Sequence, residues 1–218
     1  MRYIKMSMTP SIVLLALLTA PGAPPSGEAR ALVHKVQAFY ERTQDLEARF
    51  VQTYTYAMGR TQVSKGTIQV KKPGKIRWDY AEPSKKTIAV SGSRMVQYEP
   101  EENQAYVDEH FDSSAMGAGM AFLLGKGNLE KEFDSSVGDG GALVLTPKKP
   151  DANVSSIALT LGSEGEVKVT RVVDGSGNVN EMAFEDVRRN VKLKDASFEL
   201  KLPADVRRLR APGSPGNP

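Results

Sequence analysis

Gly66-Thr67-Ile68-Gln69-Val70-Lys71-Lys72-Pro73-Gly74-Lys75-Ile76-Arg77-Trp78-Asp79-Tyr80 reads as two strands with a turn between them. Ile68 and Val70 oppose Gln69 and Lys71. Ile76, Trp78 and Tyr80 share one face, and Lys75, Arg77 and Asp79 share the other. A period of two with polar residues on one side is the pattern of an antiparallel strand that buries one face and wets the other. Pro73-Gly74 supplies the reversal, and Glu82-Pro83 ends the second strand.

The same alternation runs outward in both directions. Upstream, residues 46–56 place Ala48, Phe50, Gln52, Tyr54 and Tyr56 on one parity. Downstream, residues 87–90, 94–99 and 104–108 continue it, joined at Ser91-Gly92 and Pro100 to Asn103. Further strands are expected at 142–146, 156–161, 167–173, 179–186 and 196–200, separated by glycine-bearing turns at 138–141, 162–165 and 174–177. So many short strands at close spacing indicate an antiparallel barrel or sandwich. One helix precedes them: over 28–42, Leu32, Val36, Phe39 and Tyr40 recur at helical spacing behind a Ser26 N-cap, an apolar stripe suited to covering a sheet.

One segment breaks the β pattern. Between Ser113 and Gly125, Met116, Met120, Phe122, Leu123 and Leu124 sit among three glycines. Methionine adapts to irregular apolar partners, so the segment suits a movable lid; a helix plugging the core would use the same residues.

At the N-terminus, Arg2 and Lys5 precede the apolar run 12–20 (IVLLALLTA), which Pro21 to Pro25 end. Nine apolar residues are too few to span a ~30 Å hydrocarbon core as a helix. A basic start, a short apolar run and small residues form a cleaved export signal, here residues 1–23, leaving a domain over 26–210 and a Pro/Gly-rich tail over 211–218 expected to be disordered. Removing Arg2 and Lys5 leaves 27 basic residues against 26 acidic, a charge of about +1. That is no basic field for nucleic acid.

The chain has no cysteine, hence no disulfide, no thiolate metal site and no lipid-anchoring thiol, so a soluble exported protein is expected. Its two histidines, His34 and His110, come with no Gly-x-Ser-x-Gly elbow and no phosphate-cradling loop. Asp108, Glu109, His110 and Asp112 are too close along one strand to converge on a metal, because neighbours point to opposite faces. No enzyme activity, cofactor or metal is expected.

The segment 66–80 resembles the defining stretch of the outer-membrane lipoprotein carrier family (LolA). Phe50-Val51-Gln52-Thr53 is similar to the family's Phe-x-Gln start, and Val90-Ser91-Gly92 with Tyr98-Glu99-Pro100 to its strand–turn–strand element. Phe122-Leu123-Leu124-Gly125 and Leu143 to Lys148 resemble later family segments. The likeness covers roughly 28–205. It implies an incomplete antiparallel β-barrel (a half-barrel) with helices forming a lid over an apolar cavity. It also implies a soluble periplasmic monomer that binds lipoprotein acyl chains, accepts lipoproteins from an inner-membrane ATP-binding-cassette release complex, and hands them to an outer-membrane acceptor where one is present.

Family members hold the lid with an arginine before the turn proline. Lys72 stands there instead, on the parity of Ile68 and Val70, and lacks the planar guanidinium fork. For the cavity wall the expectation is Phe50, Ile68, Val70, Ile76, Trp78, Ile88, Val90, Val96 and Tyr98, with Met116, Met120, Phe122 and Leu123 facing it from the lid. Ile76 matches a family position at the mouth, implicated in handover, and Val96 stands where the family has tryptophan. The same residues would equally fill the core of a barrel with no room for ligand. Two other readings stay open: a lipid-binding sensor that reports to a protein partner, and a carrier of free lipids or other amphiphiles.

Overall fold

The computed structural model describes residues 26–112, 128–151 and 153–210. Its frame is one twelve-stranded sheet. In chain order the strands are β1 (Asp45–Thr55), β2 (Thr61–Lys71), β3 (Lys75–Glu82), β4 (Lys86–Ser91), β5 (Arg94–Glu99), β6 (Gln104–Asp108), β7 (Phe133–Val137), β8 (Leu143–Pro147), β9 (Ser156–Leu161), β10 (Val167–Val173), β11 (Val179–Arg189) and β12 (Arg207–Arg210). They lie in the order β12-β6-β5-β4-β3-β2-β1-β11-β10-β9-β8-β7. Every pair is antiparallel except β12 with β6. The two outermost strands do not pair with each other, so the sheet stays open, an incomplete barrel of the kind the sequence resemblance implied.

The long strands β1, β2 and β11 form its spine. Phe50 faces Gly66 on one side and Phe184 on the other. A Cβ at Gly66 would collide with the carbonyl of Asp79 and touch the Phe50 ring, so only glycine lets β3 come this close at the bulge after Lys65.

Helix α1 (Gly27–Glu41) begins at Ser26, whose side-chain oxygen accepts from the Ala29 N–H at 3.1 Å. Ala29, Val33, Val36, Phe39 and Tyr40 make its buried stripe, which packs on β7, β8 and the short helix α2 (Leu129–Glu132). The main core lies between this helix and the concave face of the sheet, where Phe50, Ile68, Ile76, Trp78, Leu143 and Leu145 are buried.

A second layer lies on the convex face. Ala89, Val96 and Ala105 are buried but stand apart from the main core cluster. The segment 191–206 covers this face. Arg77 donates to the Ser197 carbonyl at 2.9 Å, Lys71 donates to the Leu193 carbonyl at 2.7 Å, and Lys71 and Lys75 both pair with Asp195, at 2.6 and 2.7 Å. Phe198 and Val206 of this segment are buried. The strand expected at 196–200 is therefore a 3₁₀ turn, Asp195–Phe198, and β12 follows it. Serving one face of a sheet it does not join, the 196–200 stretch shows a strand-like alternation without any ladder to enter.

Candidate functional site

Between α1 and the concave face lies a cavity of about 460 Å³. One wall comes from Leu46 and Ala48 of β1, Ile68 and Val70 of β2, and Trp78 of β3. The opposite wall comes from Leu145, Ile157, Leu159, Val172, Met182 and Phe184 of β8 to β11, with Tyr40 of α1 reaching in. Cross-strand partners of an antiparallel sheet share a face, so these side chains converge by register: Ala48 faces Ile68, Ile68 faces Trp78, and Leu145 faces Ile157. The wall is overwhelmingly apolar, and its polar groups gather at the two ends.

At one end stands Lys72. Its ammonium donates to the Tyr40 carbonyl at 2.5 Å, which also accepts from the Thr43 N–H at 3.0 Å. The last carbonyls of a helix lack intrahelical partners and carry the negative end of its dipole, so a cation is favourable there. Partial burial lowers the Lys72 pKa, against the pull of the Glu41 carboxylate, which raises it. The joint from α1 to β1 is tied down from the far side of the sheet as well. Asn190, in the left-handed region at φ 58°, accepts from the Gln44 N–H at 2.8 Å and donates to the Arg42 carbonyl at 3.3 Å. Buried Asp45 accepts from the Val191 N–H at 2.7 Å. Burial pushes the Tyr40 phenol up to about 12, against a hydrogen bond from the backbone of Val167, so it meets the cavity as a neutral group.

At the other end, Thr170, Asn180 and Asn153 border the cavity. The Tyr80 hydroxyl donates to Gln52 Oε1 at 3.1 Å, and Gln52 Nε2 donates to Asn180 Oδ1 at 2.9 Å.

Of the wall residues expected from sequence, Ile68, Val70, Lys72 and Trp78 line this cavity. Phe50, Ile76 and Val90 are buried in packing instead, Phe50 edge-to-face on Tyr80 with ring centroids 5.1 Å apart. Ile76 has 0% exposure, so it is an interior residue and does not stand at a mouth. Ile88 is half-buried against the same core.

Val96 and Tyr98 fall on the convex face, a correction to the parity reading. The three-residue turn Lys72–Gly74 keeps parity between β2 and β3, so Val70 faces Ile76. The two-residue turn Gly92-Ser93 inverts it, so Val96 faces Ala89 and Tyr98 faces Thr87. Met116, Met120, Phe122 and Leu123 lie outside the described residues.

The wall that sequence reading left unassigned is the one from β8 to β11. Its signal was present, since these strands alternate as clearly as β2 and β3, but nothing in one sequence says which face of a late strand turns towards an early one. Among the described residues, no group of three His, Cys, Asp or Glu side chains could hold a metal ion. His34 lies 3.5 Å from Glu130 on the solvent side of α1, and Glu109 is held by Arg94 at 3.0 Å. No described helix is long and apolar enough to cross a membrane.

Known proteins resemble this arrangement in sequence and in fold. The outer-membrane lipoprotein carrier protein of Dechloromonas aromatica (strain RCB) is 32% identical over 197 residues, covering 88% of this chain and 89% of that protein. The protein of the same description from Alkalilimnicola ehrlichii is 30% identical over 200 residues, covering 89% and 92%. In fold, the crystal structure of an uncharacterized conserved protein from Thermus thermophilus superposes with a TM-score of 0.51 at 11% identity, covering 84% of this chain and 99% of that one. The family model described as "Outer membrane lipoprotein carrier protein LolA" matches residues 41–201, and with the open sheet, the apolar cavity and these relatives, the chain belongs to that family of lipoprotein carriers.

Proposed function

We propose that this carrier works in the periplasm, takes the acyl chains of lipoproteins into the concave cavity, and ferries them from the inner to the outer membrane. The observation that carries the reading is the apolar cavity itself, roofed by a helix whose C-terminal end is fastened by a handful of polar bonds around Lys72. Shielding hydrocarbon from water yields about 0.8 kcal/mol per methylene, so one chain of about 16 carbons represents over ~10 kcal/mol gross. A protein that removes such chains from a membrane needs that much burial and no chemistry on the cargo.

On this reading the acyl chains enter past the C-terminal end of α1, the part of the cavity's cover that polar bonds hold. Lys72 takes the part that the family resemblance gives to an arginine: it holds the helix end closed until ligand binding outweighs that bond. An ammonium bonding one carbonyl is weaker and less directional than a guanidinium fork, so closure here is easier to undo. On this reading residues 1–23 are removed on export, the carrier acts as a monomer, an inner-membrane ATP-binding-cassette complex loads it, and an outer-membrane acceptor unloads it.

A photo-crosslinking amino acid at Val172, inside the cavity, tests this in growing cells. Adducts with lipoproteins, together with retention of outer-membrane lipoproteins in the inner membrane when the carrier is depleted, are the expected result. Adducts with free lipid alone, with unchanged lipoprotein sorting, would overturn it.

A further inference from the structure

The end of the cavity remote from Lys72 is polar, neutral and incompletely bonded. Asn180 of β11 faces Tyr54 at the far end of β1, nine residues or about 30 Å of strand beyond Asp45. Its side-chain amide is oriented by a relay: the Tyr80 hydroxyl donates to Gln52, and Gln52 donates to Asn180 Oδ1. The acceptor of Asn180 is thereby used, and its Nδ2 donors have no partner among the described residues. One strand over, Thr170 borders the same space, and its hydroxyl likewise has no partner among the described residues. Thr170 sits diagonal to Asn180 on the concave face, since it faces Met182 while Asn180 faces Val172.

A half-buried amide and hydroxyl beside an apolar cavity lose their hydration when hydrocarbon fills it, unless the ligand brings a hydrogen-bonding group to meet them. Among the described residues no cation borders this end, so the site does not select phosphate or carboxylate; Lys72, the cationic residue lining the cavity, is at the opposite end and bonded to α1. What the site presents is neutral donors. An ester carbonyl accepts from such donors and brings no donor of its own to be satisfied.

We propose that Asn180 and Thr170 form a subsite for the ester carbonyls that join acyl chains to glycerol, fixing how deeply a diacylglyceryl group seats in the cavity. The proposal deepens the acyl-chain reading and rests on it. Cargo is then recognised at two points, hydrocarbon by the walls and the ester by the relay-held amide. An acylated glycerol is preferred over a bare hydrocarbon of equal length.

The test compares a fluorescent diacylglycerol with its diether analogue, identical in chain length but lacking both carbonyls, by titration of the full chain. The wild type is expected to bind the ester tighter by roughly fivefold to tenfold, the worth of one or two neutral hydrogen bonds. Asn180→Leu and the near-isosteric Thr170→Val should lose most of the ester preference, read in each variant as its own ratio of ester to ether affinity. Thr170→Val leaves the relay untouched, so it reports even if Asn180→Leu unfolds. Equal binding of ester and ether by the wild type, or a preference that survives in a folded variant, overturns the subsite while leaving the cavity reading intact. Failure of the wild type to bind either lipid defeats both together.

Discussion

The two faces of one sheet meet different fates in this molecule. On β4 and β5 both faces are apolar: Val90 looks to the concave side, while Ala89 and Val96 look to the convex side, and all three are buried. The convex face is closed by residues 191–206, with Phe198 and Val206 buried and Asp195 clamped between Lys71 and Lys75. The concave face is covered by a helix that packs firmly on β7 and β8 but leaves the space above β1, β2, β10 and β11 unfilled. An apolar sheet face becomes core or cavity according to its cover, and a carrier needs one of each. The strapped face is packed, and the roofed face keeps a cavity.

The sharpest break in that comparison is within the concave face itself. Ile76→Glu places a charge at a fully buried position with no partner, and should destabilise the fold by about 3–5 kcal/mol or prevent folding. Met182→Glu, at a half-buried position on the cavity wall, should leave a folded protein that no longer binds an acyl probe. Urea denaturation beside probe binding separates the two, and equal behaviour would deny the distinction between packed and capacious regions.

The convex side offers the converse. Phe198→Ala should cost about 3–4 kcal/mol in urea denaturation, because it opens a void in a closed layer, yet leave probe affinity per folded molecule unchanged. A large loss of affinity in the folded fraction would show that the strap shapes the cavity.

The smallest effect concerns the charge clamp. Hydrogen bonds from Lys71 and Lys75 hold the Asp195 carboxyl down to about 2, from an ordinary 3.8. A depressed folded-state pKa contributes stability that is present above pH 3.8 and lost as the pH falls towards 2. Asp195→Asn should therefore flatten that part of the acid unfolding curve and change little at neutral pH. A curve unchanged between about pH 4 and 2 would remove the clamp from the account.

Much of this was legible in advance. The β1 to β6 and β8 to β11 segments, the Ser26 cap and helix α1 all announce themselves by period and punctuation. Ile68, Val70 and Trp78 reach the cavity because they sit on long strands joined by a turn that preserves parity. Val96 and Tyr98 went to the other face because a turn shorter by one residue reverses every side chain after it, and loop length within a Ser-Gly-Ser turn is not visible in the pattern of either strand. β7 and β12 are not marked in the sequence, for another reason. At five and four residues, with Asp134, Ser135, Ser136 and three arginines among them, they carry almost no alternation and are strands only because a neighbour supplies hydrogen bonds.

By itself the sequence determined that this is an antiparallel sheet protein with a covering helix, without cysteine, and with Lys72 where the family resemblance expects a lid-holding arginine. Those properties are local: alternation, caps and residue identity act within a few positions along the chain. Tertiary structure alone decided which apolar residues surround empty space, since Ile76 and Trp78 are indistinguishable in pattern, yet one is packed and the other lines a cavity. A cavity exists where distant segments fail to meet. Here, among the described residues, α1 does not fill the space over the concave face of β1, β2, β10 and β11, and that gap is a property of the assembled sheet that no window of sequence contains.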